Sequence, residues 1–116
     1  MKRIVLKGDP KSTQHLYRPS PRGGMYMTGN AKALKLDYGW QAKSQWKGEP
    51  LQGPIEVTIA LYFKDHRRRD WDNWQKISMD ALQGIVFNDD SQIRFAHVEM
   101  YSGAVEPCIE LNFEEV

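Results

Sequence analysis

The sequence predicts a single α+β domain, residues 1–116, in which a mixed β-sheet carries two main helices on one face. Three observations lead there. The 116 residues suit one domain, and 41% hydrophobic with 27% charged residues is too apolar a mixture for a disordered chain. Residues 55–63 alternate strictly, with Ile55, Val57, Ile59, Leu61 and Phe63 on one side and Glu56, Thr58, Ala60 and Tyr62 on the other. That is the pattern of a half-buried strand. Residues 28–47 place Ala31, Leu34, Tyr38, Ala42 and Trp46 close to a helical period.

The remaining elements follow in order. Residues 3–7 read as a short opening strand. Residues 8–27 hold three of the six prolines and three of the nine glycines among basic and aromatic residues, which reads as a long loop. The helix over 28–47 carries Lys32, Lys35, Lys43 and Lys47 on its polar face. Gly39 weakens it, since glycine inside a helix costs ~1 kcal/mol relative to alanine. A turn-rich connection over 48–54 leads into the alternating strand. A second helix is predicted over 73–83, with Trp74, Ile77 and Ala81 facing inward. Asp70 or Asp72 is placed to cap its start, and Gly84 to end it in the left-handed conformation. Residues 88–90 form a turn, and 93–101 and 107–113 are two further strands.

Composition excludes several classes. No apolar run approaches the ~20 residues of a membrane helix, and the apolar part of the N-terminus is too short for a signal peptide. Cys108 stands alone, so an internal disulfide framework and a Cys-rich zinc site are excluded, and a reducing, cytoplasmic setting is expected. His15, His66 and His97 show no ligand spacing. Neither a glycine-rich nucleotide loop nor a serine-nucleophile motif is present.

The net charge of +1 hides a strong segregation. Residues 1–48 set ten basic side chains against Asp9 and Asp37, a balance of +8, and residues 49–76 hold five of each sign. Residues 77–116 set eight acids against Arg94, a balance of −7. Such asymmetry points either to a nucleic-acid partner or to pairing of the two halves within the fold.

The densest chemistry lies in KDHRRRDWDNWQK, residues 64–76. Arg67, Arg68 and Arg69 suit phosphate ligation, or form a solvated charge run. Asp70 and Asp72 follow at once. One of them is accounted for by capping, but two carboxylates at close quarters repel unless a cation lies between them. A hard divalent ion such as Mg²⁺ takes one or two carboxylates and keeps waters for a substrate phosphate. Lys76 stands one helical turn from both Asp72 and Asp80, so it can pair with either, or stabilise charge developing on a phosphate. Asp89 and Asp90 form either a polar turn or a second acidic site brought back beside the first.

The stretch from Arg67 to Ile93 resembles the signature of the RusA family of Holliday junction resolvases. Arg69, Asp70, Asp72, Asn73, Lys76, Asp80-Ala81-Leu82, Asp89-Asp90 and Gln92-Ile93 all match the pattern, which covers about a quarter of the chain. The loop with Gly8, Pro10, Lys11, Arg18, Arg22 and Tyr26 is similar more loosely. The resemblance implies a homodimeric, Mg²⁺-dependent endonuclease that makes paired nicks in four-way DNA junctions, with Mn²⁺ able to substitute and no small-molecule cofactor. It assigns Asp70, Asp72 and Asp90 as metal carboxylates, with Asp89 the less favoured partner, and Lys76 as the catalytic lysine. Arg67, Arg68 and Arg69, with Lys11, Arg18 and Arg22, would contact DNA. Trp40, Trp46 and the opening strand are candidates for the dimer surface. Two other readings stand beside it: a catalytically inactive DNA-binding protein that retains the fold, and an Asp-x-Asp sugar-nucleotide transferase, for which the chain lacks room.

Overall fold

The computed structural model describes residues 2–116. Strand β1 (Lys2–Lys7) opens the chain, followed by a single helical turn α1 (Thr13–Leu16) and a small hairpin of β2 (Tyr17–Pro19) and β3 (Met25–Met27). Helix α2 (Gly29–Gln45), strand β4 (Ile55–Tyr62), helix α3 (Lys76–Leu82), and strands β5 (Ile93–Tyr101) and β6 (Cys108–Glu115) complete it. The main sheet has the order β1-β6-β4-β5, in which β4 and β5 run parallel and the other two pairs antiparallel. The expected mixed sheet with its helices on one face is therefore observed.

Register explains the layering. Ile4, Leu111, Ile59 and Val98 lie in one row across the four strands, and Leu6, Ile109, Leu61 and Met100 in the next. These apolar rows face the helices, and their members on β1, β4 and β6 are buried. The opposite face carries Arg3, Asn112, Thr58 and His97 in one row, exposed on the two outer strands and half-buried on the inner ones. A one-residue slip in any strand would exchange the two faces, so burial fixes the register.

Helix α2 begins where Thr28 Oγ1 accepts the Ala31 amide at 3.1 Å and buries Ala31, Tyr38 and Ala42 against the sheet. Trp46, the residue that ends it, is buried edge-on against Phe113, with the Lys2 ammonium 4.6 Å from its ring centre. That removes Trp46 from the candidates for a dimer surface, whereas Trp40 is 65% exposed. The free edge of β1 is occupied as well. Gln45 accepts from the Val5 amide at 2.8 Å and donates to the Val5 carbonyl at 2.7 Å, and Gln41 accepts from the Lys7 amide at 2.7 Å. Two glutamine side chains thus take the place of a neighbouring strand.

Three expectations need correction. The long loop over 8–27 contains α1 and the β2–β3 hairpin, which turns on Gly23 and Gly24, both with positive φ. The second helix starts at Lys76, three residues late, and neither Asp70 nor Asp72 caps it: the cap position is Gln75, with no side-chain bond. The last strand runs two residues beyond the predicted end. Gly84 does lie just past α3 with φ +85°, as expected.

Candidate nuclease site

The connection from β4 to β5 passes over one end of the sheet, and there the chemistry-bearing residues collect. Parallel strands need such a crossover, so the fold itself provides a long segment at this place. Its first part, residues 63–75, is held by side-chain anchors in place of regular structure. Asp9 accepts the Lys64 amide at 3.0 Å. Asp65 accepts the Arg67 amide at 3.1 Å and pairs with the guanidinium groups of Arg67 and Arg69. These contacts hold its carboxyl below the usual aspartate range, the Arg67 amide contributing most.

Arg69 differs from its two neighbours. Its side chain is only 9% exposed, against 82% for Arg67. The guanidinium lies 4.0 Å from the ring centre of Phe63 and 5.6 Å from that of Trp74, and it donates to the Arg67 carbonyl at 3.0 Å. The two rings meet edge to face at 5.1 Å. The Trp74 indole donates in turn to the Asp70 carbonyl. Arg69 is thereby the internal clamp of the loop that carries Asp70 and Asp72. The His66 ring presses on the turn after β5, where a Cβ at Gly103 would stand 2.8 Å from it.

The N-terminal segment docks on the same loop. Thr13 donates to the Asn73 carbonyl from its amide at 2.7 Å and from its hydroxyl at 3.0 Å. Lys11, Arg67 and Arg68 consequently line one groove, with the imidazole of His15 beside them. Arg18 and Arg22 sit apart on the β2–β3 hairpin and its turn, both exposed.

A second, larger cleft lies between α3 and β5. Lys76 and Asp80 from α3, Asp90 from the 3₁₀ turn before β5, and the exposed ring of Trp71 line it above an apolar floor that includes Ile59 and Val98. The turn at Asp90 is built by Gln92, whose side chain accepts the Asn88 and Asp89 amides and donates to the Leu51 and Gly53 carbonyls. Asp89 is engaged locally by the Ser91 hydroxyl, while Asp90 is turned to the cleft. Sequence reasoning gave no role to Tyr17, whose hydroxyl donates to Asp80 at 2.8 Å. It also left Asp65 unremarked, although Asp65 stands one helical spacing before Arg69, and it placed Trp74 inside a helix rather than in the loop clamp.

The donor chemistry of Asp70, Asp72 and Asp90, hard carboxylate oxygens beside basic side chains, suits a Mg²⁺-type ion. Among the described residues no three such side chains converge closely enough to hold one: Asp90 lines the cleft, and Asp70 and Asp72 are exposed on the neighbouring loop. Among the same residues no helix is long and apolar enough to cross a membrane.

Comparison with known proteins matches the sequence to one family. The family model for endodeoxyribonuclease RusA matches residues 7–114. The chain is 33% identical over 85 residues to the crossover junction endodeoxyribonuclease of Enterobacteria phage 82, covering 72% of this chain and 70% of the relative. It is 32% identical to the protein of that name from Escherichia coli K12, over the same shares. The Aquifex aeolicus protein is 29% identical over 84 residues, or 70% of this chain and 64% of the relative. With nearly its whole length inside the family match, the chain belongs to the RusA family of endodeoxyribonucleases.

Proposed function

We propose that the protein is a Mg²⁺-dependent endonuclease that cuts four-way DNA junctions by paired nicks, acting as a homodimer in DNA recombination, repair or phage branch processing. The observation that carries this reading is the cleft that joins Lys76 to Asp90, bordered by the loop of Asp70 and Asp72, in a chain of the RusA family. A protein that only binds DNA has no use for carboxylates beside a phosphate.

The groove of Lys11, Arg67 and Arg68 offers cations to the DNA backbone, with Arg18 and Arg22 adding to the same side of the charge balance. The carboxylates assigned to the ion are Asp90 in the cleft and Asp70 and Asp72 on its border, which would have to draw together around it. When bound, the ion supplies neutralisation of phosphate charge and a more acidic water as nucleophile. Lys76 supplies a further fixed positive charge, which stabilises the extra negative charge as water adds to phosphorus and the ester oxygen departs. Two copies related by a two-fold axis match the symmetry of a junction and deliver one cut to each of two strands. Strand β5 suits that pairing: it is the open edge of the sheet, and Phe95 on it is 62% exposed.

The test is cleavage of a synthetic four-way junction with Mg²⁺, wild type against Asp72→Asn. Cutting by wild type and loss in the variant, with junction affinity kept, is the expected result. Tight binding without any nick would favour the inactive DNA-binding protein, and normal cutting by Asp72→Asn would overturn the metal assignment. A titration of protein alone with Mg²⁺ or Mn²⁺, followed through tryptophan fluorescence with Trp71→Phe to isolate the share of the residue at the cleft, reads ion binding without turnover. That signal should vanish in Asp70→Asn.

A further inference from the structure

Helix α3 carries two charges where a helix least favours them. Lys76 is its first residue, at the end where peptide dipoles leave partial positive charge. Asp80 lies toward the other end, where they leave partial negative charge. Lysine preceding the acid by four residues is also the weaker order for a helical ion pair. The pair is therefore poorly placed to stabilise α3, and its geometry needs another reason.

One oxygen of Asp80 does two things. Oδ2 accepts the Tyr17 hydroxyl at 2.8 Å and faces Lys76 Nζ at 3.4 Å. The Asp80 side chain is 24% exposed, so this contact is less screened than an ordinary surface pair. The same Lys76 nitrogen lies 5.1 Å from the centre of the Tyr17 ring. Burial, reinforced by the Asp80 carboxylate, pushes the Tyr17 phenol far above its ordinary value, so it remains a donor throughout the working pH range. Lys76 is thus held from two sides, by a carboxylate and by an aromatic ring, at the wall of the cleft that Asp90 also lines. Tyr17 begins the hairpin whose turn bears Arg22, so the same bond ties that hairpin to the cleft.

We propose that Asp80, fixed by Tyr17, is the positioning residue that aims Lys76 into the cleft. Asp80 acts through the lysine and touches neither DNA nor the ion. This rests on the reading of the protein as a junction endonuclease, and the test separates the two. Single-turnover cleavage of a four-way junction is measured with Mg²⁺, and junction affinity with EDTA in its place. The proteins are wild type, Asp80→Asn, Tyr17→Phe, Lys76→Ala and the Lys76→Ala/Asp80→Asn double variant. Asp80→Asn and Tyr17→Phe should each lower the cleavage rate roughly tenfold or more, the usual loss when a supporting partner is removed, with affinity kept within about twofold. The double variant should cut no more slowly than Lys76→Ala, because a positioning residue has nothing to add once its lysine is gone. Wild-type rates in both single variants, a further full loss in the double, or equal losses in rate and affinity would each overturn the proposal. The Lys76 ε-carbon resonance in ¹³C-lysine protein, lying in the field of the Tyr17 ring, should move in both single variants while their melting remains cooperative. A stationary resonance refutes the positioning even if wild type proves unable to cut, which would sink only the endonuclease reading.

Discussion

Replacing Arg69 by alanine separates two roles that the arginine run leaves entangled. Removing the guanidinium forfeits a desolvated cation–π contact with Phe63, of about 1–2 kcal/mol, and a charge-assisted bond to the Arg67 carbonyl, of about 1.5 kcal/mol. The contact with Asp65 is left out of the sum, because that carboxylate is 41% exposed and solvent screens it. The loss is then about 3 kcal/mol, and for a domain of this size it should lower Tm by roughly 12 °C. Arg69→Lys retains the charge but not the flat stack between two rings, so it should fall in between. The assay is thermal unfolding by circular dichroism beside a gel-shift titration with a four-way junction. Arg67→Ala serves as the reference: its side chain is open to solvent, so it should weaken DNA binding with little change in Tm. If Arg69→Ala melts within about 2 °C of wild type and loses only affinity, the guanidinium is a DNA contact and the clamp argument fails.

Two more predictions concern stability. The Tyr38 hydroxyl is buried without a hydrogen-bond partner, and burial pushes the phenol up to about 12. Tyr38→Phe should therefore stabilise the fold by roughly 1 kcal/mol and raise Tm by about 4 °C, whereas a lower Tm would reveal a partner for the hydroxyl. Asp65 has its carboxyl held below the ordinary range, so its contribution is complete above about pH 4 and is lost as pH falls through the depressed value. Melting curves taken from neutral pH downward should accordingly show a shallower acid limb for Asp65→Asn than for wild type, and parallel limbs would refute the linkage.

What could be read from the chain divides along a physical line. Strand β4 was legible because a sheet buried on one face imposes a period of two, and from Ile55 to Leu61 only Ala60, buried on the other face, departs from it. Helix α2 was legible despite Gly39, because Ala31, Tyr38 and Ala42 recur on the face that packs. Gly84 was legible because only a positive φ ends α3 as it does. The start of α3 was not, since residues 70–75 are held by the Trp74–Asp70 bond, the Arg69–Trp74 stack and the distant Thr13, side-chain anchors that carry no helical period. The hairpin within 8–27 escaped for a simpler reason: strands of three residues are too short to show a period.

At the candidate site, the sequence brought forward Asp70, Asp72, Lys76 and Asp90 as a group. The fold places Lys76 and Asp90 on one cleft and leaves the first two aspartates on its border. Three arginines in a row look alike in one dimension. Burial between two rings is what sets Arg69 apart from Arg67.

The glutamines that occupy the edge of β1 also set the valence of the sheet. Of the two outer strands of the main sheet, β1 has its Val5 amide and carbonyl and its Lys7 amide taken by Gln45 and Gln41, and β5 is the edge that no such side chains cover among the described residues. An association that extends the sheet can thus use one edge per chain, and a chain with one sticky edge has nothing left once a partner is seated. Growth by this route would stop at two copies. Opening the second edge would turn a closed pair into a chain that can add members without end.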